Sequence, residues 1–177
     1  MGYADVIEAQ SQTGAAGAPG VNAAARLALE TETWLVASSA GGAITVTDGE
    51  IMAIDTTSLA GSVRSRVAVR AASATIAIPV GVAFLDAPVV IPQTAVAGDI
   101  MVPIRVMRRG FHNAVAVATG GAANNVVFPS ATAGRGSVPV ATTALAAASG
   151  HIANCVGVTL GAAAANVAPM WVCCQFG

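Results

Sequence analysis

Apolar residues fall at every second position along most of this chain, in short runs broken by turn residues, and few folds can use that pattern. A period of two places alternate side chains on opposite faces of an extended strand. Ile44-Thr45-Val46-Thr47 alternates and runs into Asp48-Gly49, a turn signal. Ile51, Ala53 and Asp55 then share one face, and Met52 and Ile54 the other. Val63, Val67 and Val69 align, with Arg64, Arg66 and Arg70 opposite. Ile76, Ile78, Val80 and Val82 align again, and so do Ile100, Val102, Ile104 and Val106. Further strands are expected at 114–117, 126–128, 137–141, 155–160 and 170–174. Between the runs stand Asp86-Ala87-Pro88, Gly98-Asp99, Gly120-Gly121, Asn124-Asn125 and Gly134-Arg135-Gly136. Many short strands with regular turns predict an all-β sandwich or barrel. Helix is confined to short Ala-rich patches, Asn22–Leu29, Ala144–Ser149 and Ala162–Asn166, and isolated short helices are marginal.

The chain also echoes itself. Gly61-Ser62-Val63 recurs as Gly136-Ser137-Val138 at an offset of 75, and Val80-Gly81-Val82 as Val156-Gly157-Val158 at 76. Ile51-Met52-Ala53-Ile54 precedes the first copy, and Val126-Val127-Phe128-Pro129 the second. The expected organisation is therefore two related small β-barrel or β-sandwich modules, 26–95 and 96–177. They follow an N-terminal arm over 1–25, whose Gly- and Ala-rich sequence cannot build a core. That arm is either disordered or extended along a partner. A separate echo, Gly49-Glu50-Ile51-Met52 and Gly98-Asp99-Ile100-Met101, reads as repeated turn chemistry.

Composition narrows the function. Of 177 residues 10% are charged, against about 25% in ordinary soluble domains. All eight basic residues are Arg, and no charge follows Arg135. Aromatics are 4%, so a core of Ala and Val is thin, and bulky side chains carry most burial energy at roughly 1.5–3 kcal/mol each. A thin core and an uncharged surface together point to a chain covered by neighbours. A net charge of −1 argues against phosphate-backbone binding, and Trp34 and Trp171 look isolated, so no nucleic-acid partner is expected. The N-terminus carries neither a basic stretch nor an apolar h-region, and 136–177 is interrupted too often to span a membrane. Cys155, Cys173 and Cys174 lack a C-x-x-C spacing and read as small buried hydrophobes made in a reducing cytoplasm.

Candidate chemistry is sparse. His112 and His151 are the only histidines. A triad drawn from Ser130, His112 and Asp99 has no G-x-S-x-G elbow to support it, and His112 is expected at a turn after Gly110-Phe111. Asp48, Glu50 and Asp55 come nearest to a calcium spacing without completing one. No catalytic residue, metal or cofactor is assigned. Two arginine groups remain: Arg64, Arg66 and Arg70 on one strand, and Arg105, Arg108 and Arg109 at the end of another. They serve either as solvated faces that block edge pairing or as forks for a partner's carboxylates.

One further pattern lies in the second half. Val96-Ala97-Gly98-Asp99-Ile100-Met101-Val102-Pro103-Ile104 opens it, followed by Ser130-Ala131-Thr132-Ala133-Gly134-Arg135. Val156-Gly157-Val158-Thr159-Leu160-Gly161-Ala162-Ala163-Ala164 comes next, then a closing strand at 168–174. Over residues 96–174 this resembles the decoration, or cement, proteins on the heads of tailed bacteriophages. The resemblance implies a non-enzymatic β-barrel or β-sandwich that trimerises on the capsid exterior. Its partner would be the major capsid protein and its place the virion, after synthesis in the host cytoplasm. The six arginines named above become candidate capsid contacts. Proteins of this group usually carry Lys, and this chain has none. The competing expectation is a fibre or tail module that binds a host receptor or glycan, for which exposed aromatics are few.

Overall fold

The structure is a computed structural model that describes residues 30–55, 66–72, 78–118, 122–137 and 155–174. The expected arm over 1–25, the patches at 22–29 and 144–149, Arg64, and one half of the Gly-Ser-Val echo lie outside them. Among the described residues the fold is all-β, with eleven strands and no helix. In chain order they are β1 (Glu30–Ala37), β2 (Ile44–Val46), β3 (Ile51–Ile54), β4 (Ala68–Arg70), β5 (Pro79–Ala83) and β6 (Val89–Ile91). There follow β7 (Met101–Ala116), β8 (Val126–Pro129), β9 (Gly136–Ser137), β10 (Gly157–Thr159) and β11 (Val167–Cys173).

β7 organises the sheet. Its 16 residues pair antiparallel with β1 along 101–109, with β5 at 106–107 and with β11 along 109–116. The order is β4-β3-β5-β7-β11-β10-β8-β9, with β1 joined to β7 off this path, so strands on both sides of residue 95 share one sheet. The sheet curls until its ends meet: Ile51 N–H donates to Gly134 O, and Gly134 N–H to Ala71 O, both at 2.8 Å. Inside the curl lies a first core of Ile51, Ala53, Val82, Met107, Val115, Val127, Met170 and Val172, with their neighbours. On the opposite face β2 and β6 form a two-stranded ribbon, and Val46 and Ile91 pack over Met52, Ala83, Ile104 and Val106 as a second core.

The alternation explains this division. Ile51 and Ala53 enter the first core, while Met52 and Ile54 face the second, as their period of two requires. Val102, Ile104 and Val106 stay together against the second core. Where the period fails, a backbone irregularity is the cause. Val80 and Val82 do not share a face: Val80 belongs to the second core and Val82 to the first. Opposite β5, Met52 pairs with Gly81 but Ala53 pairs with Pro79, so one extra residue sits in the strand and reverses the phase. Gly81 adopts φ 151°, and a Cβ there would lie 2.2 Å from Met107 O. Val67 and Val69 likewise part company, Val67 buried and Val69 exposed, just after Arg66 turns the chain with φ 85°.

Two other expectations are corrected. Gly110-Phe111 is no turn: both lie inside β7, paired with Val172 and Trp171. His112 is therefore a strand residue, held by continuous pairing that local composition does not reveal. The Ala-rich patch 162–166 is no helix but ends in a two-residue hairpin turn. Ala165 and Asn166 have φ 49° and 62°, and Ala164 and Val167 exchange both backbone hydrogen bonds. The turn chemistry read at Gly49 and Gly98 does hold, with φ 83° and 86° ahead of β3 and β7.

Gly81→Ala should lower stability by roughly 2–4 kcal/mol, because the methyl meets backbone in a conformation unfavourable to it. The urea midpoint measures this; an unchanged midpoint would mean that the bulge relaxes freely.

Candidate functional site

Two features stand out: how the polar side chains are used, and where apolar ones are left outside. The arginines come first. Arg66 is exposed and makes no ion pair among the described residues. Arg70 Nη1 lies 3.5 Å from Glu50 Oε1, and the same carboxylate accepts Thr47 N–H. Arg105 Nε donates to Phe84 O at 3.2 Å, its guanidinium sits 4.8 Å above the Phe84 ring, and Asp86 is 3.7 Å away. Arg108 Nη1 donates to Glu32 Oε1 at 2.7 Å, and Arg109 lies 3.9 Å from Glu30. Glu30 and Glu32 are partners that sequence reasoning missed. They enter through the β1–β7 register, and their spacing of two in Glu30-Thr31-Glu32-Thr33 was the available sign. The two arginine groups lie on different strands, β4 with the residues just before it and β7, and β1 meets both, through the Leu35–Val67 bridge and the β1–β7 pairing.

His112 is buried and tied at both ring nitrogens. Nδ1 accepts Ala114 N–H at 3.2 Å, which leaves Nε2 to donate to Asp48 Oδ1 at 3.3 Å. Asp48 also accepts Leu85 N–H, and Phe84 meets the imidazole edge-on with centroids 6.0 Å apart. The partner of His112 is thus Asp48 rather than the Asp99 drawn from sequence. Ser130 bonds within its own turn, to Thr132 N–H and O. Glu50 is held by Arg70 and Asp55 is buried, so the near-calcium trio is divided among separate contacts. Among the described residues no three His, Cys, Asp or Glu side chains converge on a metal position. These groups fasten β7 to the turns beside it; what they do chemically is to fill one another's hydrogen-bonding capacity.

The apolar feature lies on the outer side of the C-terminal strands. Val126 on β8 pairs with Val158 on β10, Val158 with Trp171 on β11, and Trp171 with Phe111 on β7. Direct partners in an antiparallel sheet project to the same side, so these four form one row across four strands. Their neighbours Val127, Val172 and His112 point the other way and are buried. Val126 is 41% exposed and Trp171 37%, with Leu160 at 49% and Val167 at 37% nearby in the chain. The ribbon that covers the second core is built from β2 and β6 and packs on residues of β1, β3, β4, β5 and the N-terminal half of β7. Trp171 looked isolated in sequence because 60 residues separate it from Phe111, and only the register joins them.

The cysteines sit at the inner margin of this region. Cys174 is buried in the first core and its Sγ donates to Val156 O at 3.6 Å. Burial, then the neighbouring thiols of Cys155 and Cys173, push its pKa far up. Cys155 is partly exposed, and burial followed by the adjacent Cys173 thiol raises it to about 11. Compared with known proteins, the chain matches no family model and no curated protein sequence.

Two outcomes follow from this geometry. Arg108→Ala should cost about 1–2 kcal/mol, since its pair with Glu32 is close and largely shielded, whereas Arg109→Ala should stay within about 0.5 kcal/mol because both partners are well exposed. Denaturation at low and high salt separates the two. Alkylation of Cys155 should accelerate about tenfold per pH unit from neutrality towards its raised pKa, because only the thiolate reacts. A rate that levels off below about pH 9 would contradict a thiol protected by burial.

Proposed function

We propose that this chain is a non-enzymatic structural protein that decorates the outer surface of a tailed-phage head and stabilises contacts between major capsid subunits. The observation that carries this reading is the outward row Val126–Val158–Trp171–Phe111 on a rigid, curled sheet. An exposed apolar face, half of it (Val158 and Trp171) in the charge-free stretch after Arg135, favours contact with another protein. Arg66, Arg105 and Arg109 are the most exposed of the candidate contacts, and Arg109, two residues from Phe111 on β7, would give the row a polar margin. Many copies, each weakly held, would reinforce a lattice through avidity, and a homotrimer would multiply the contacts further. The resemblance over 96–174 supports the same assignment.

Gly81 of β5 and Gly157 of β10 occupy matching places: each would drive a Cβ to 2.2 Å from a carbonyl oxygen of the next strand, Met107 O and Trp171 O. β3 pairs with β5 as β8 pairs with β10, which fits the echo between 51–54 and 126–129. We take the two halves to be related units that now complete one sheet.

The test is attachment. Particles from the native source, stripped of this chain, should rebind the unaltered protein and lose at least tenfold in occupancy with Val126→Asp plus Trp171→Asp. Both positions point outward, so circular dichroism should be retained. Equal occupancy of the folded double variant would refute the docking face, and electron microscopy that finds the chain off the shell would refute the function.

A further inference from the structure

We propose that Cys155 and Cys173 form a modification site, a dithiol that a small-molecule disulfide converts into one intrachain disulfide joining the approach to β10 with the end of β11. The inference is independent of what the outer face binds.

The backbone brings the approach to β10 alongside the end of β11. Gly157 pairs with Val172, and Cys173 N–H donates to Val156 O at 2.9 Å, one residue from Cys155. The Cys173 thiol is near enough to help raise the pKa of Cys155, and Cys155 Sγ donates to Gly157 O at 3.7 Å. Both residues are partly exposed, so a reagent can reach them. Cys174 lies close to the same pair, but its sulfur is buried in the first core and bonded to Val156 O. Successive residues of a strand face opposite sides, which gives Cys173 the accessible one. Burial protects Cys155 from ionising at neutral pH, so the bond forms slowly there and faster in mild alkali.

The step balances as two exchanges. The Cys173 thiolate attacks one sulfur of the reagent, forming a mixed disulfide and releasing one reagent thiolate. The Cys155 thiolate then attacks the Cys173 sulfur and releases the second. Two electrons pass to the reagent, and the two protons lost by the cysteines end on its two thiols. The product ties β11 to the segment leading into β10, and a cross-link that restricts the unfolded chain raises stability.

The experiment treats the folded full-length chain with oxidised glutathione at about pH 9. Trypsin cannot separate Cys155 from the adjacent pair, because no Arg or Lys follows Arg135, but chymotrypsin cuts after Leu160 and Trp171 and does, and fragmentation of the linked peptide then tells Cys173 from Cys174. The expected result is a Cys155–Cys173 linked peptide, one remaining free thiol, a chain lighter by two hydrogens, and a Tm higher by roughly 5–10 °C. Cys173→Ser should abolish the intrachain bond and Cys174→Ala should retain it; if Cys174→Ala folds poorly, peptide mapping of the unaltered chain decides. Three free thiols in the folded protein while a urea-unfolded sample oxidises would overturn the proposal. So would a bond through Cys174, a bond between chains, or a linked protein with a lower Tm.

Discussion

Hydrogen bonding along β7 is the constraint on which the rest depends. This strand takes β1, β5 and β11 as partners, and through them it connects most of the sheet. Its side chains also feed both hydrophobic layers, Met107 and Val115 inside the curl and Ile104 and Val106 beneath the β2–β6 ribbon. A core of Val, Ala and Ile yields modest burial energy per residue, so continuity of pairing must compensate. The polar ties serve that continuity. His112 holds the turn before β3, Arg105 holds the backbone after β5, and Arg108 holds β1. In each case a charged or aromatic group secures a neighbouring element to the same strand.

Curling the sheet also deals with its margins. Strands at the end of an open sheet offer unsatisfied backbone groups to any other chain. Here β4 and β9 are three and two residues long, and the turn at Gly134 hydrogen-bonds back to Ile51 and Ala71. Unsought edge pairing is thereby limited, and the apolar row across β8, β10, β11 and β7 is left on the outer surface. That division fits the attachment role proposed above. It gives stickiness to one side while the backbone remains internally satisfied.

Much of the strand content was legible because period two and turn residues are local properties. The opposed faces of Ile51–Ile54 and the turns at Gly49 and Gly98 required only neighbouring residues. Register was not legible. Nothing near Phe111 announces Trp171, and nothing near His112 announces Asp48, since those contacts follow from which strands lie side by side. Propensity misled at Ala162–Asn166, where alanine favours helix but the hairpin geometry forces Ala165 into a left-handed conformation. The arginine groups were legible as residues but not as pairs, because their carboxylates come from β1 and from the turns between strands.

The bulge at Gly81 has a meaning for descent as well as for packing. One surplus residue in β5 decides which side of the sheet each later side chain meets, so its removal would not simply shorten the strand. It would exchange inward and outward positions on one side of the break, moving Val80 out of one layer or Val82 out of the other. Loss or gain of a single codon here is therefore far more disruptive than the same event in a surface loop. Length in this strand therefore matters to packing as much as side-chain character does.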